Sequence, residues 1–268
     1  MLTTYTWTGL GATTNWSNGA NWSPNTGNPS SPGDIAIFSG SYAGPQTAVF
    51  DTPGAVVGEI DFATSSNITI ANSNDAVLQM DNTGFAANSI ISLTAGNTGT
   101  VTITAPVSGV NIPLAVTVAG GGLTVSGALT GVTPLTSGPG SIQGVSGSSI
   151  TVNTGATFTL DDTSTTTLGS PNRLSDDMAL TMNGGTFKYV GASNNSSTET
   201  IGAISINSGN STITTTPTGT AGTLALTSSA LTRSAGATVN FTGTGLGAAN
   251  NQILFTAQPT LTGNILPY

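Results

Sequence analysis

The residue types that most often carry out side-chain chemistry are scarce in this chain. Of its 268 residues only 5% are charged, with three Lys plus Arg, eleven Asp plus Glu, and neither His nor Cys. General acid–base catalysis, thiol nucleophiles and transition-metal sites draw mostly on His, Cys, Lys and closely paired carboxylates. The composition therefore points to a protein that works through its structure and surface, and we expect neither enzymatic activity nor a cofactor.

Two adjacent acid pairs are the candidates for ion binding. Asp161-Asp162 and Asp176-Asp177 carry the hard oxygen ligands that Ca²⁺ prefers. Neither pair lies in the Gly-Gly-x-Gly-x-Asp pattern of calcium-binding β-rolls or in an EF-hand loop. Because Asp in turns commonly hydrogen-bonds its own backbone, a structural role is the favoured interpretation and no metal site is predicted.

Asp51, Glu59 and Asp61 are the candidates for a glycosidase, since parallel β-helices include enzymes that cleave polysaccharides. Glu59 and Asp61 lie two positions apart on a strand-like segment, which places both on one face. Solvent exposure explains such a pair more simply, and lyase-type chemistry would also need a basic group to stabilise charge. Lys188 and Arg233 form no motif that would supply it.

The charge balance excludes a nucleic-acid partner. The formal net charge is −8, and the three basic residues, Arg173, Lys188 and Arg233, are well separated, whereas phosphate binding needs clustered Lys or Arg. No apolar run approaches the roughly 18 to 20 residues that span a bilayer. A chain rich in Thr, Ser and Asn but poor in Lys and Cys is typical of bacterial surface and secreted proteins, so we predict an extracellular or cell-surface location.

Short alternating segments predict an all-β fold. Apolar and small polar residues alternate with period two in six segments, 101–104, 115–118, 123–125, 150–152, 158–160 and 204–206. Glycine-rich corners separate them, and no stretch repeats apolar residues at helical spacing. Strand and turn units recur at about 8 to 12 residues, which fits a parallel β-helix (β-solenoid) or an elongated β-sandwich.

Two features favour the solenoid over the sandwich. The polar residue inside each predicted strand is usually Thr or Ser rather than a charged residue, and the strands are short. Thr on an outer face can pair with Thr of the neighbouring coil, which contributes about 0.2 to 1 kcal/mol per pair. Repetition along a solenoid makes this small contribution matter.

The first fifty residues differ from the rest of the chain. They contain all three tryptophans, Trp7, Trp16 and Trp22. The end of a solenoid exposes its hydrophobic core and an unpaired strand edge, and bulky aromatic residues suit a cap over that end. We therefore predict a Trp-rich capping segment over residues 1–50 and a β-solenoid body over residues 51–268.

A series of short phrases runs through the chain. Near the start stand Trp-Thr-Gly at 7–9, Asn-Trp-Ser at 15–17 and 21–23, and Pro-Gly-Asp-Ile-Ala-Ile-Phe at 32–38. Later phrases occupy residues 172–176, 182–189, 198–202 and 264–267. Together they resemble the passenger regions of bacterial proteins with autotransporter-associated β-strand repeats. The resemblance implies a secreted or cell-surface, largely non-catalytic β-solenoid, usually within a much longer protein that has a C-terminal export or anchoring region.

We predict that the protein is a subunit of a self-assembling bacterial surface fibre or filament. Few charges keep its surfaces apart in water, and both ends of the chain are rich in β-forming residues. An uncapped last coil can accept the first strand of the next copy, a head-to-tail contact that does not close. The candidate assembly residues are Leu2, Tyr5, Trp7, Ile253, Leu254, Phe255, Ile265 and Leu266.

The alternative prediction is a monomeric adhesin or carbohydrate-binding passenger fragment. In that case Trp7, Trp16 and Trp22 form a platform that stacks on cell-surface glycans. Large aromatic residues near a chain end more often fill a core, because each buries up to about 150 to 250 Å². The alternative therefore requires these three rings to be exposed in a groove.

Overall fold

The computed structural model describes residues 2–73, 76–126, 141–143, 146–163, 173–193, 195–219 and 222–259. The chain is essentially all-β, and its parallel sheets are stacked as a β-solenoid of about eight turns, called coils below. A 3-10 helix at Gly19–Asn21 interrupts the first residues. The predicted solenoid is confirmed, and the sandwich alternative is not what the chain forms.

The strands are short and follow one another closely. In chain order they are β1 (Thr4–Trp7), β2 (Trp22–Ser23), β3 (Ile35–Gly40), β4 (Gln46–Phe50), β5 (Val56–Val57), β6 (Glu59–Thr64), β7 (Ile68–Asn72), β8 (Leu78–Met80), β9 (Ser89–Leu93), β10 (Thr100–Ile103), β11 (Val107–Gly109), β12 (Leu114–Val118), β13 (Gly122–Ser126), β14 (Ile142–Gln143), β15 (Ser149–Asn153), β16 (Thr157–Asp161), β17 (Ala179–Asn183), β18 (Thr186–Ser193), β19 (Ser197–Ile201), β20 (Ile204–Ile206), β21 (Asn210–Thr218), β22 (Leu224–Ser228), β23 (Leu231–Arg233), β24 (Thr238–Thr242) and β25 (Asn251–Phe255). The six strands predicted from period-two alternation are confirmed as β10, β12, β13, β15, β16 and β20.

The strands form three faces around one core. The first face is a ten-stranded sheet in the order β2-β1-β3-β6-β9-β12-β15-β17-β20-β23, and the second is an eight-stranded sheet that runs from β4 to β24. The third face is divided between a sheet of β5, β8, β11 and β14 and a sheet of β19, β22 and β25. β1 pairs in parallel with β3 and antiparallel with the short β2.

In-register parallel pairing stacks equivalent positions of successive coils into columns. On the first face one buried column runs through Phe38, Phe62, Leu93 and Val118. The rings of Phe38 and Phe62 stack with centroids 5.1 Å apart. Because every coil adds a residue to such columns, the core is continuous along the solenoid and each coil depends on its neighbours.

The outer surface of the second face carries a column of threonines that is interrupted once, by Lys188. Its members, in order along the solenoid, are Thr47, Thr69, Thr102, Thr124, Thr159, Lys188, Thr214 and Thr242. The hydroxyl oxygens of Thr214 and Thr242 lie 2.7 Å apart, which is the cross-strand Thr pairing that the sequence predicts.

Three buried indoles close the N-terminal end of the core. Trp7, Trp16 and Trp22 are 2%, 0% and 1% exposed, and Trp7 stacks on Phe38 with a centroid distance of 5.6 Å. Trp16 contacts Phe50 edge to face at 5.5 Å. The prediction of a sugar-stacking platform is wrong, because buried rings present no face to a glycan. Packing against the apolar end of the core removes the surface of these rings from water, which is favourable.

The capping segment is joined directly to the first coil. β3 and β4 both precede residue 50, yet β3 pairs in register with β6, and β4 pairs in register with β7. Residues 1–50 therefore supply strands of the first coil as well as the tryptophan cap. The predicted boundary at residue 50, between the capping segment and the solenoid body, does not coincide with an edge of either sheet.

Candidate assembly interface

The two ends of the solenoid differ on the first and second faces. At the N-terminal end, β1 and β2 cover the edge of β3, and a bridge between Asn15 and Val49 covers part of β4. At the C-terminal end, β23, β24 and β25 are the last strands of their sheets, and no strand of the described ranges pairs with their outer edges. We call the exposed ends of these three strands the open end.

The open end also exposes the hydrophobic core. A cavity of about 290 Å³ lies there, and its lining residues are Phe241, Leu246, Gly247, Gln252, Ile253, Leu254 and Phe255. Phe241 continues the buried column of Ile213, and Ile253 continues that of Leu226. Because no further coil of the described residues follows, these side chains are only half-buried, and Leu254 is 43% exposed.

The predicted assembly residues do not all lie at surfaces. Ile253, Leu254 and Phe255 lie together at the open end, as β25 brings them to the rim of the cavity. Trp7 is 2% exposed, so its assignment as a contact residue is wrong.

The remaining assembly residues belong to the two chain ends. Leu2 is 45% exposed at the closed end, and the half-buried Tyr5 packs edge to face against Trp22 at 6.4 Å. Ile265 and Leu266 lie outside the described residues.

A buried charged cluster, which the sequence analysis missed, lies inside the solenoid between the two sheets of the third face. Asp162, Arg173 and Glu199 are 0%, 0% and 1% exposed. The Arg173 Nε donates to Asp162 Oδ1, and the Tyr189 hydroxyl donates to Asp162 Oδ2 at 2.9 Å. The Glu199 carboxylate accepts the backbone N–H groups of Arg173 and Leu174, both at 2.9 Å.

The position of Glu199 explains why a carboxylate is buried there. Leu174 forms a parallel bridge with Ile142 of β14, and the next strand of the third face, β19, belongs to the other sheet. The N–H groups of Arg173 and Leu174 are therefore bonded by the Glu199 side chain instead of by a strand. A buried N–H group without an acceptor would cost free energy. The Glu199 carboxylate therefore takes the place of the strand that would otherwise accept these two hydrogen bonds.

Burial dominates the electrostatics of this cluster. Loss of water around the carboxyl group raises the pKa of Asp162, although Arg173, Tyr189 and Ser197 oppose the rise. Burial raises the pKa of Glu199 well above its usual range, against the two N–H bonds that it accepts. One guanidinium balances one carboxylate, so the interior is nearest to neutral when Glu199 holds a proton.

The acid pairs considered for calcium do not form a joint site. Asp162 points into the core, whereas Asp161 accepts the backbone N–H of Thr163 at 2.9 Å on the outside. Asp176 and Asp177 are exposed in a turn. Within the described ranges no group of three or more acidic side chains is placed to hold a metal ion.

The three carboxylates considered for glycoside hydrolysis are not brought together. Glu59 and Asp61 are neighbours on the outer side of β6, where burial raises the pKa of both and the charge of Asp61 further raises that of Glu59. Asp51 follows β4 on the second face and accepts the backbone N–H and the hydroxyl of Ser17, at 3.0 and 2.6 Å. Two acids side by side on a sheet do not flank a substrate as this chemistry requires.

The architecture defines a β-solenoid whose core is covered by tryptophans at the N-terminal end and half-exposed at the other end of its described part. Comparison of the chain with protein-family models, with curated proteins and with solved structures finds no match. The similarity to autotransporter-associated repeats therefore stays a prediction. Among the described residues, no helix has the length and apolar character that crossing a membrane requires.

Proposed function

We propose that this protein is a non-catalytic structural subunit of a bacterial extracellular fibre, and that copies join head to tail through the open end. The observation that supports this most directly is the asymmetry of the ends: a tryptophan cap covers one, while three strand edges surround a half-exposed core at the other. An open edge of this kind is a template for pairing with another chain. A head-to-tail contact does not close, so it generates a filament.

The magnitudes indicate that such a joint must use several strands at once. Association costs about 4 to 15 kcal/mol in lost freedom of motion. Each backbone hydrogen bond returns about 0.5 to 1.5 kcal/mol, and complete burial of a large apolar side chain returns about 1.5 to 3 kcal/mol. β24 and β25 have five residues each, and Ile253, Leu254 and Phe255 supply the apolar contact.

A charged residue at the rim of the cavity tests the proposal. Leu254→Asp in the full chain is expected to lower the association constant at least about tenfold, because a carboxylate would be desolvated in the joint. The control is Phe85→Asp, since Phe85 is 48% exposed in a loop between β8 and β9, away from the open end. Sedimentation velocity over a concentration series measures the effect. A wild-type chain that stays monomeric, or a Leu254→Asp variant that assembles like wild type, contradicts the proposal.

A further inference from the structure

The outer surface of the second face presents two neighbouring columns of side chains that consist mainly of threonine. The central column is the one described above, from Thr47 to Thr242, in which Lys188 is the single interruption. A flanking column lies beside it, two residues earlier on each strand, and its members are Thr100, Gly122, Thr157, Thr186, Thr212 and Asn240. In β10, β16 and β21 threonine occupies both columns. The face therefore carries a two-dimensional threonine array.

The sheet sets the spacing of this threonine array. Neighbouring parallel strands lie about 4.8 Å apart, and successive outward residues of one strand lie about 6.6 Å apart, which is twice the rise per residue. The strands pair in register across both columns, and the register shift between β18 and β21 lies beyond Val190, outside the array. The array is thus a regular lattice, and its two repeats are close to those of the water oxygens on the prism face of ordinary ice.

Hydroxyl groups in the middle of the array are not used inside the protein. The hydroxyls of Thr214 and Thr242 bond each other, but those of Thr69, Thr102 and Thr124 have no hydrogen-bond partner within the described residues. These three side chains are partly exposed. A threonine ladder that only stabilised the sheet would pair its hydroxyls along the column. The hydroxyls of Thr69, Thr102 and Thr124 instead remain available to ordered water.

We propose that the threonine array binds ice. Each threonine offers a hydroxyl that donates and accepts hydrogen bonds with lattice water, and a methyl group whose apolar surface leaves liquid water on contact. Because the strands hold the array in place before contact, binding requires little ordering of the protein.

The first face provides a contrast within the same molecule. Its outward positions are Ile35 and Ile37 on β3 and Glu59 and Asp61 on β6, so apolar and acidic residues interrupt any threonine array there. The proposed ice-binding site is therefore confined to the second face. It lies along the side of the solenoid and is independent of the proposed end-to-end assembly.

Removal of the interruption at Lys188 tests the proposal by a gain of activity. Lys188→Thr in the full chain is expected to widen the gap between the melting and freezing temperatures of a seeded ice crystal, because the central column becomes continuous. Thr124→Lys is expected to lose most of the wild-type gap, since it places a second long charged side chain in a column that already accommodates lysine. Thr151→Lys, at an outward and partly exposed position of the first face, is the matched control and is expected to leave the gap unchanged.

The gap is measured at equal protein concentrations, and circular dichroism checks that each variant is folded. A wild-type chain that produces no gap and is excluded from slowly growing ice overturns the proposal. A Lys188→Thr variant no more active than wild type also overturns it, as do equal losses in Thr124→Lys and Thr151→Lys. These outcomes do not bear on end-to-end assembly, which Leu254→Asp tests separately.

Discussion

Arg173 is held inside the described part of the solenoid by contacts from two successive coils. Its guanidinium contacts Asp162 at the end of β16, and its backbone N–H is bonded by Glu199 of β19. A buried ion pair of this kind adds little net stability compared with an apolar core, but the loss of one partner leaves a charge without compensation. The cluster is therefore sensitive to single substitutions.

Arg173→Met tests the dependence of Asp162 on its counter-charge. We expect the free energy of unfolding to fall by about 3 to 5 kcal/mol, because a buried carboxylate loses the guanidinium. The matched control is Arg233→Met at the exposed rim, where surface substitutions usually change stability by less than about 0.5 kcal/mol. Urea unfolding followed by circular dichroism measures both variants. If Arg173→Met and Arg233→Met lower the free energy of unfolding equally, the buried cluster is not structurally important.

Glu199 makes the stability of the protein depend on pH in a defined direction. Its pKa is raised in the folded state, so the folded chain holds the proton more tightly than the unfolded chain does. The contribution of Glu199 to the free energy of unfolding is present below its pKa in the unfolded chain, near 4.3. It is lost as the pH rises toward its pKa in the folded chain.

Glu199→Gln is expected to flatten the fall in unfolding free energy that sets in as the pH rises above the unfolded pKa, near 4.3, because the group no longer titrates. It also lowers stability at pH 4 by about 1 to 3 kcal/mol, because one of the two N–H groups loses its acceptor. Chemical unfolding at a series of pH values measures both effects, with Asp176→Asn in an exposed turn as the comparison. A variant whose pH dependence equals that of wild type contradicts the assignment.

The sequence did not reveal the charged cluster for a physical reason. Arg173 looks isolated because its partners Asp162 and Glu199 lie 11 and 26 residues away, separations that carry no local pattern. One signal was available. Ser197, Glu199 and Ile201 alternate with period two, so the phase of β19 places Glu199 on the inward side.

The strands could be predicted from the sequence because each is specified locally. Alternation of apolar and small polar residues in β12 or β15 fixes which side is buried. The cap was predicted from three tryptophans, but the pattern could not show that β3 and β4 already align with later coils. Pairing between strands of different coils is a long-range property, and short strands of similar composition do not encode it individually.

The cap element is expected to protect the first coil from local unfolding. Trp16→Ala removes a fully buried indole whose Nε1 donates to the carbonyl oxygen of Pro29 at 2.7 Å. Such truncations cost about 3 to 5 kcal/mol, and in a solenoid the loss falls mainly on the nearest coils. Hydrogen exchange is expected to accelerate in β3 and β4 and to stay unchanged in β20 to β22.

Leu10→Ala is the control for the cap, because Leu10 is 84% exposed. It is expected to leave exchange in every strand as in wild type. Uniform acceleration along the whole solenoid in Trp16→Ala would show that the molecule unfolds as one unit and that the cap is not a local element.

At the scale of the whole molecule, the coils are stacked in chain order, so the two ends of the solenoid differ. About eight coils, spaced by about 4.8 Å as in any parallel sheet, form a body whose core is covered by tryptophans at the first coil and half-exposed at the last described coil. A molecule with two different ends and one continuous core is suited to addition at one end.

Negative-stain electron microscopy of the full chain over a range of concentrations tests the central claim, that copies of this solenoid join end to end. We expect unbranched filaments that lengthen as the concentration rises, with the strands perpendicular to the filament axis. Dispersed single particles of 26.4 kDa at every concentration would contradict it.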